Sequence, residues 1–102
     1  MSLEDVEMLA FQMISFAGDA FDCYYHALCE YRKDHDRVKA KTAFETGNGH
    51  LNKCHKVQTE LIQLESRGEP LPYSLIMTHA QDHFISAINW QRMAQLEIID
   101  SE

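Results

Sequence analysis

Both prolines of this chain, Pro70 and Pro72, fall within one short stretch, RGEPLPYS (67–74). Proline lacks the backbone donor of a helix interior and its ring clashes with the preceding turn. A chain that confines it to one place leaves everything else free to be helical. A second, weaker break is the polar run RKDHD (32–36). The two breaks divide the chain into three segments, and each reads as a long helix.

The first helix is expected from about Leu3 to Arg32. Ser2 is placed to cap it, with Asp5 three residues on in a capping-box pattern. Val6, Ala10, Met13, Ala17, Ala20, Tyr24, Ala27 and Tyr31 recur in alternating steps of four and three, which is a heptad seam. Ile14, Phe21 and Leu28 form a second stripe beside it, so the apolar face is wider than one neighbour requires. The second helix is expected from about Asp36 to Arg67, with Gly68 just past its end. Phe44, Leu51, Cys54, Leu61 and Leu64 have core spacing. Gly47 and Gly49 each cost about 1 kcal/mol relative to alanine inside a helix. Their presence implies either a kink or a close approach of another helix. The third helix is expected from about Ser74 to Ile99. With short connections, these helices make an all-α, antiparallel up-down-up three-helix bundle of one domain, residues 1–102.

A chain of 102 residues buries only roughly 60–70% of its surface alone, so association with further copies is a natural supplement. The net charge of −7 leaves no basic footprint for nucleic acid and disfavours an anionic membrane as direct partner. The N-terminal MSLEDVEML is acidic where a secretion signal needs positive charge, and no apolar run approaches the ~20 residues of a membrane span. Cys23, Cys29 and Cys54 are odd in number and lack CxxC spacing, as expected of reduced, structural thiols in a cytoplasmic protein.

The third helix carries the most informative pattern. One seam reads Ile76, Ala80, His83, Ala87, Trp90, Ala94. The adjacent seam reads Leu75, His79, Asp82, Ser86, Asn89, Met93, Leu96, apolar at both ends and polar between. A fully exposed face has no need of the leucines, and a fully buried one does not tolerate an unpaired Asp82. An oligomer axis with a polar register residue accounts for the pattern, and so does a functional site at an interface. His79 and His83 share a face at i,i+4 spacing within HAQDH (79–83). HExxH is absent because Ala80 follows the first histidine. HxxDH approaches the inverted zinc motif, but aspartate is shorter than glutamate and a small bundle offers no protease cleft. His50 and Cys54 are also four apart but lack two further obvious ligands, so both read as structural. His26 and His35 read as surface residues.

The segment CHKVQTELIQLESRGEPLPYSLIMTHAQDHFISA (54–87) resembles the lactose/cellobiose-type IIA component of the bacterial sugar phosphotransferase system. The resemblance lies in His55, Gln58, Leu61 and Ile62, then Ser74, Leu75 and HAQDH. It extends more weakly through MISFAGDA (13–20) and HLNKCH (50–55), and its HAQDH form is nearer the cellobiose/chitobiose branch. The chain departs from the family pattern at Phe21, Asp22, His35 and Arg37, where basic, small, glycine and aromatic residues are usual, and at Gly47 and Gly49.

This resemblance implies a phosphocarrier. The histidine-containing phosphocarrier protein would donate a phosphoryl group to His79, and a cysteine of the IIB component would receive it, with the membrane IIC component involved only indirectly. It implies a homotrimer in which Asp82 of each chain meets a shared divalent ion, expected to be Mg²⁺ because hard carboxylate oxygens suit it. Gln81 is a candidate to hydrogen-bond the phosphoryl oxygens, and His83 is read as a supporting or structural residue. The alternative is a IIA-like adaptor that regulates a partner without phosphoryl transfer.

Overall fold

The computed structural model of the protein describes residues 1–101. Helix α1 spans Leu3–Asp34, α2 spans Arg37–Ser66 and α3 spans Leu75–Ala94, followed by a π-helical turn at Gln95–Ile99. There is no strand among the described residues.

Each boundary has a local cause. Ser2 and Asp5 form the expected capping box, each side chain accepting the other's backbone N–H at 3.1 Å. Helix α1 runs to Asp34, two residues beyond the expected end, and stops at His35. His35 adopts φ 54, the left-handed conformation that glycine takes without strain, and its N–H bonds the Tyr31 carbonyl at 2.8 Å. Asp36 then caps α2 by accepting from the Lys39 N–H at 3.1 Å. At the far end of α2, Gly68 has φ 82. The Gly68 N–H bonds the Glu65 carbonyl at 3.0 Å and the Glu69 N–H bonds Leu64 at 3.1 Å. That pair of bonds is a Schellman motif, and it satisfies carbonyls the helix end would otherwise orphan. Ser74 caps α3 through the Met77 N–H at 3.2 Å.

The heptad seam of α1 is the spine of the core. Val6, Ala10, Met13, Ala17, Ala20, Tyr24 and Ala27 are all buried. Helix α1 packs extensively on both other helices, while α2 and α3 touch more sparsely. Its contacts pair Met13 with Cys54, Tyr24 with Phe44 and Tyr31 with Arg37 on the α2 side. On the α3 side they pair Met13 with Gln81 and Phe21 with Trp90. The core line of α3 differs from the expected seam at His83, and Ile76 and Trp90 are only partly buried against the core. Phe84 is buried with Ala80, Ala87 and Ala94, whereas His83 is only half-buried. The two positions are adjacent, and the apolar ring takes the inward one because an imidazole there would lose its hydration.

The open question about the glycines resolves differently at each position. Helix α2 continues unbroken through both. A Cβ on Gly47 would lie 2.7 Å from the Tyr24 ring and 3.1 Å from Cys23 Cβ, so Gly47 serves close packing. A Cβ on Gly49 would meet nothing within 4 Å. Beside Gly47, the buried Tyr24 hydroxyl donates to Asn48 Oδ1 at 2.7 Å. The same oxygen accepts from Gln91 Nε2 at 2.9 Å, so one side-chain amide joins all three helices. The C-terminal π-helical turn buries Ile98, whose carbonyl accepts from the Arg37 guanidinium.

These contacts predict opposite effects for two similar substitutions. Gly47→Ala gains about 1 kcal/mol of helix propensity but overpacks against a fixed ring, which costs about 1–3 kcal/mol. The net is a loss of stability. Gly49→Ala has open space and is expected to stabilise by roughly 0.5–1 kcal/mol. Urea denaturation of both variants checks this; equal effects would remove the close-packing account of Gly47.

Burial pushes the Tyr24 phenol up to about 12, from an ordinary value near 10. Its contribution is intact while the unfolded chain keeps the phenol protonated. Above that point the unfolded state ionises first, so the contribution falls as pH rises from about 10 to 12. Tyr24→Phe is expected to show a shallower loss of melting temperature across that interval than the parent.

Candidate functional site

The seven residues of the mixed seam on α3 all lie on the outside of the single chain. Leu75 is 72% exposed, Met93 49% and Leu96 63%. His79, Asp82, Ser86 and Asn89 are exposed between them. The bundle therefore completes its core without this face and leaves an apolar stripe with a polar centre uncovered.

Within that centre, His79 and His83 are brought together. Their Nε2 atoms are 3.0 Å apart, and the rings meet edge to face with centroids 4.5 Å apart. In this contact one ring donates at Nε2 and the other accepts there. The spacing along one rigid helix produces this contact, because residues four apart sit one above the other. A neutral imidazole is a nucleophile near neutral pH, and here one is presented on the surface of a helix held at its base by Ser74.

Asp82 makes no hydrogen bond or ion pair among the described residues and is exposed. No group of three or more His, Cys, Asp or Glu side chains that could hold a metal occurs among the described residues. A three-ligand metal site involving Asp82 therefore needs ligands from other molecules.

Gln81 is not brought to His79. Its amide nitrogen lies 3.3 Å from the Met77 sulfur and 3.9 Å from the Met13 sulfur. Two residues along a helix turn a side chain to nearly the opposite side, and α1 occupies that side. Gln81 instead lines a cleft of about 330 Å³ with Gln58, Met77 and Thr78, closed at one end by Leu71–Ser74. Gln58 Oε1 is buried there without a hydrogen-bond donor among the described residues. Thioethers are weak acceptors, so the Gln81 amide is held by contacts that it can exchange at little cost.

The other sequence candidates sit apart from the pair. Cys54 is fully buried and donates to the Met13 carbonyl at 3.5 Å. Burial pushes its thiol up to about 11, so it stays protonated and is neither nucleophile nor metal ligand at neutral pH. His50 is half-buried, His26 is exposed against Tyr25, and His35 ends α1. The sequence reading did not single out Asn48, Gln91 or the Arg37 contact with Ile98. Asn48 had one available signal, since a polar residue between two glycines in mid-helix is costly unless a neighbour uses it. No described helix is long and apolar enough to cross a membrane.

Comparison with known proteins places these features in a family. The sequence model described as "PTS system, Lactose/Cellobiose specific IIA subunit" matches residues 8–101. The chain is 36% identical over 88 residues to a PTS system lactose-specific EIIA component of Staphylococcus aureus (strain N315), covering 86% of this chain and 84% of that protein. It is 36% identical over 97 residues to a lichenan-specific phosphotransferase enzyme IIA component of Bacillus subtilis (strain 168), covering 95% and 86%. The crystal structure of the PTS cellobiose-specific enzyme IIA from Bacillus anthracis superposes with a TM-score of 0.84 at 36% identity, over 98% of this chain and 88% of that one.

Proposed function

Because the chain belongs to the lactose/cellobiose-specific IIA family of the phosphotransferase system, we propose that it carries a phosphoryl group on His79. The donor is the phosphorylated histidine-containing phosphocarrier protein. The acceptor is a cysteine of a IIB component, and transfer serves uptake of a β-linked disaccharide of the cellobiose, chitobiose or lactose kind. The observation that carries this reading is the His79 imidazole itself, exposed on a helix and, among the described residues, hydrogen-bonded to another imidazole.

Phosphoryl transfer asks chiefly for in-line positioning and for stabilisation of spread negative charge. An imidazole nitrogen of His79 attacks phosphorus as the donor's N–P bond breaks. Attack through Nε2 would use the nitrogen that faces His83, and the histidine contact would then open as the new N–P bond forms. An acidic chain with net charge −7 does not hold the phosphoryl group too firmly, which suits a carrier that must pass it on. Gln81 could reach the phosphoryl oxygens only by leaving the two thioethers it now touches.

The same reading takes the bundle as up-down-up and the assembly as a cytoplasmic homotrimer. The α1–α2 contacts pair rising with falling residue numbers, and the α1–α3 contacts pair rising with rising numbers. The uncovered stripe of Leu75, Met93 and Leu96 supports a face shared between copies. Asp82 from each chain would then hold one divalent ion, Mg²⁺ by the hardness of carboxylate oxygen, which offsets repulsion among the three charges.

His79→Gln is expected to keep the fold and lose phosphoryl acceptance. The test is incubation with phosphoenolpyruvate and the general phosphocarrier chain, read by mass. An acid-labile phosphoryl group on the variant would show that another residue is the acceptor. If the parent chain itself gains none, the non-transferring adaptor is the better reading.

Asp82→Leu replaces mutually repelling charge by apolar volume, an exchange that is often neutral or stabilising. The variant is expected to remain trimeric by light scattering and to melt at the same temperature with or without a chelator. The parent should melt lower once its metal is removed. A mass near 11.8 kDa for the parent, that of one chain, would end the trimer proposal. Equal chelator sensitivity in both proteins would end the axial-metal proposal.

A further inference from the structure

We infer that His79 and His83 form a two-nitrogen clamp for a transition-metal ion of the Ni²⁺ or Cu²⁺ class, and that the ion, once bound, blocks phosphoryl acceptance. The inference deepens the proposed function, on which its second half rests. The site differs from the carboxylate site proposed for Asp82 in its ligands, in the softness of those ligands and in its stoichiometry of one ion per chain.

The geometry comes from the pair itself. Their Nε2 atoms are 3.0 Å apart on one helix, so the chain brings two donor nitrogens together, and rotation of the rings would aim both lone pairs at one ion. At an ordinary metal–nitrogen distance of about 2.0–2.1 Å, nitrogens that far apart subtend about 94° at the ion. That is close to the right angle between neighbouring ligands in square-planar or octahedral coordination. It is well short of the tetrahedral angle of structural zinc sites. Imidazole nitrogen in tetragonal geometry favours Cu²⁺ and Ni²⁺. In the single chain His79 is exposed and His83 half-exposed, so water would fill the positions that neighbouring copies leave open.

The surroundings suit a cation. The shallow groove beside His83 is lined by Asp22 and Ser86 together with Ala17, Gly18 and Phe21. The charged group that α1 contributes to this groove beside His83 is therefore a carboxylate. No lysine or arginine occurs on α3 before Arg92.

In a pair of neutral rings joined through Nε2, one ring carries hydrogen at Nε2 and the other at Nδ1. Metal binding requires both rings to carry it at Nδ1, so the donor ring changes tautomer through solvent. Once the ion sits on Nε2 of His79, Nδ1 holds the proton and neither nitrogen keeps an in-plane lone pair for phosphorus. Phosphorylation and chelation then compete for one atom.

The experiment uses the untagged full chain and Ni²⁺ rather than Cu²⁺, because Cys23 and Cys29 are partly exposed thiols that copper would oxidise. Excess Mg²⁺ is present throughout, so that a shared carboxylate site is filled by the harder ion. Calorimetry is expected to give one Ni²⁺ per chain for the parent and binding more than tenfold weaker for His83→Gln and for His79→Gln. Equal affinity in the parent and His83→Gln would overturn the clamp. Phosphoryl acceptance is then measured with and without Ni²⁺ in the parent and in His83→Gln, using the same donor proteins. Ni²⁺ is expected to slow the parent at least tenfold more than the variant, with recovery on adding a chelator. Equal slowing of both would place the nickel effect on the donors and overturn the block. If the parent accepts no phosphoryl group even without nickel, the carrier reading and the block fail together, while the calorimetry still decides the clamp.

Discussion

The contact between the Tyr24 ring and the bare backbone of Gly47 governs how close α1 and α2 can come. A side chain as small as a methyl at position 47 would sit 2.7 Å from that ring. Closeness there also brings the Tyr24 hydroxyl within 2.7 Å of Asn48, and Asn48 in turn holds Gln91 of α3. One phenol thus sets a helix separation through its carbon atoms and fastens a third helix through its oxygen. Along the rest of α1, alanines at 10, 17, 20 and 27 continue the same close approach with little side-chain entropy to lose.

The consequence for the histidine pair is rigidity. His79 and His83 stand on α3 roughly two to three turns from the Gln91 anchor on one side and roughly one and a half to two and a half turns from the Ser74 cap on the other. Neither histidine contributes to the buried core, so their chemistry is carried at small cost to the fold. The core line passes just beside them through Ala80, Phe84 and Ala87. A reactive side chain mounted next to such a line keeps its direction without being buried.

Much of this was legible in the residues. The α1 seam, the capping box, Gly68 beyond α2 and the exposed, mixed face of α3 all follow from spacing, because each depends on neighbours within a turn or two. The HAQDH pairing was legible for the same reason. What spacing does not carry is long-range choice. Whether Gly47 bends a helix or admits a ring depends on Tyr24, twenty-three positions away in the chain. The side to which Gln81 turns depends on where α1 lies, and the inward position of Phe84 rather than His83 depends on the exact rotation of α3. Arg37 finds the Ile98 carbonyl only after the third helix has folded back beside the first connection. The family membership came from a run of specific residues rather than from any of these physical patterns.

The π-helical turn at Gln95–Ile99 closes the third helix with a different periodicity. An i to i+5 bond, from the Asp100 N–H to the Gln95 carbonyl at 2.9 Å, encloses one more residue than an ordinary turn. The surplus residue shifts the angular phase of whatever follows, and here the shift leaves Leu96 outside while Ile98 lies fully inside. An extra residue in a helix is commonly absorbed within a single π-type turn. In this chain the mismatch is absorbed in the last turn, so the phase of every residue before it, the histidines included, is independent of how the chain finishes.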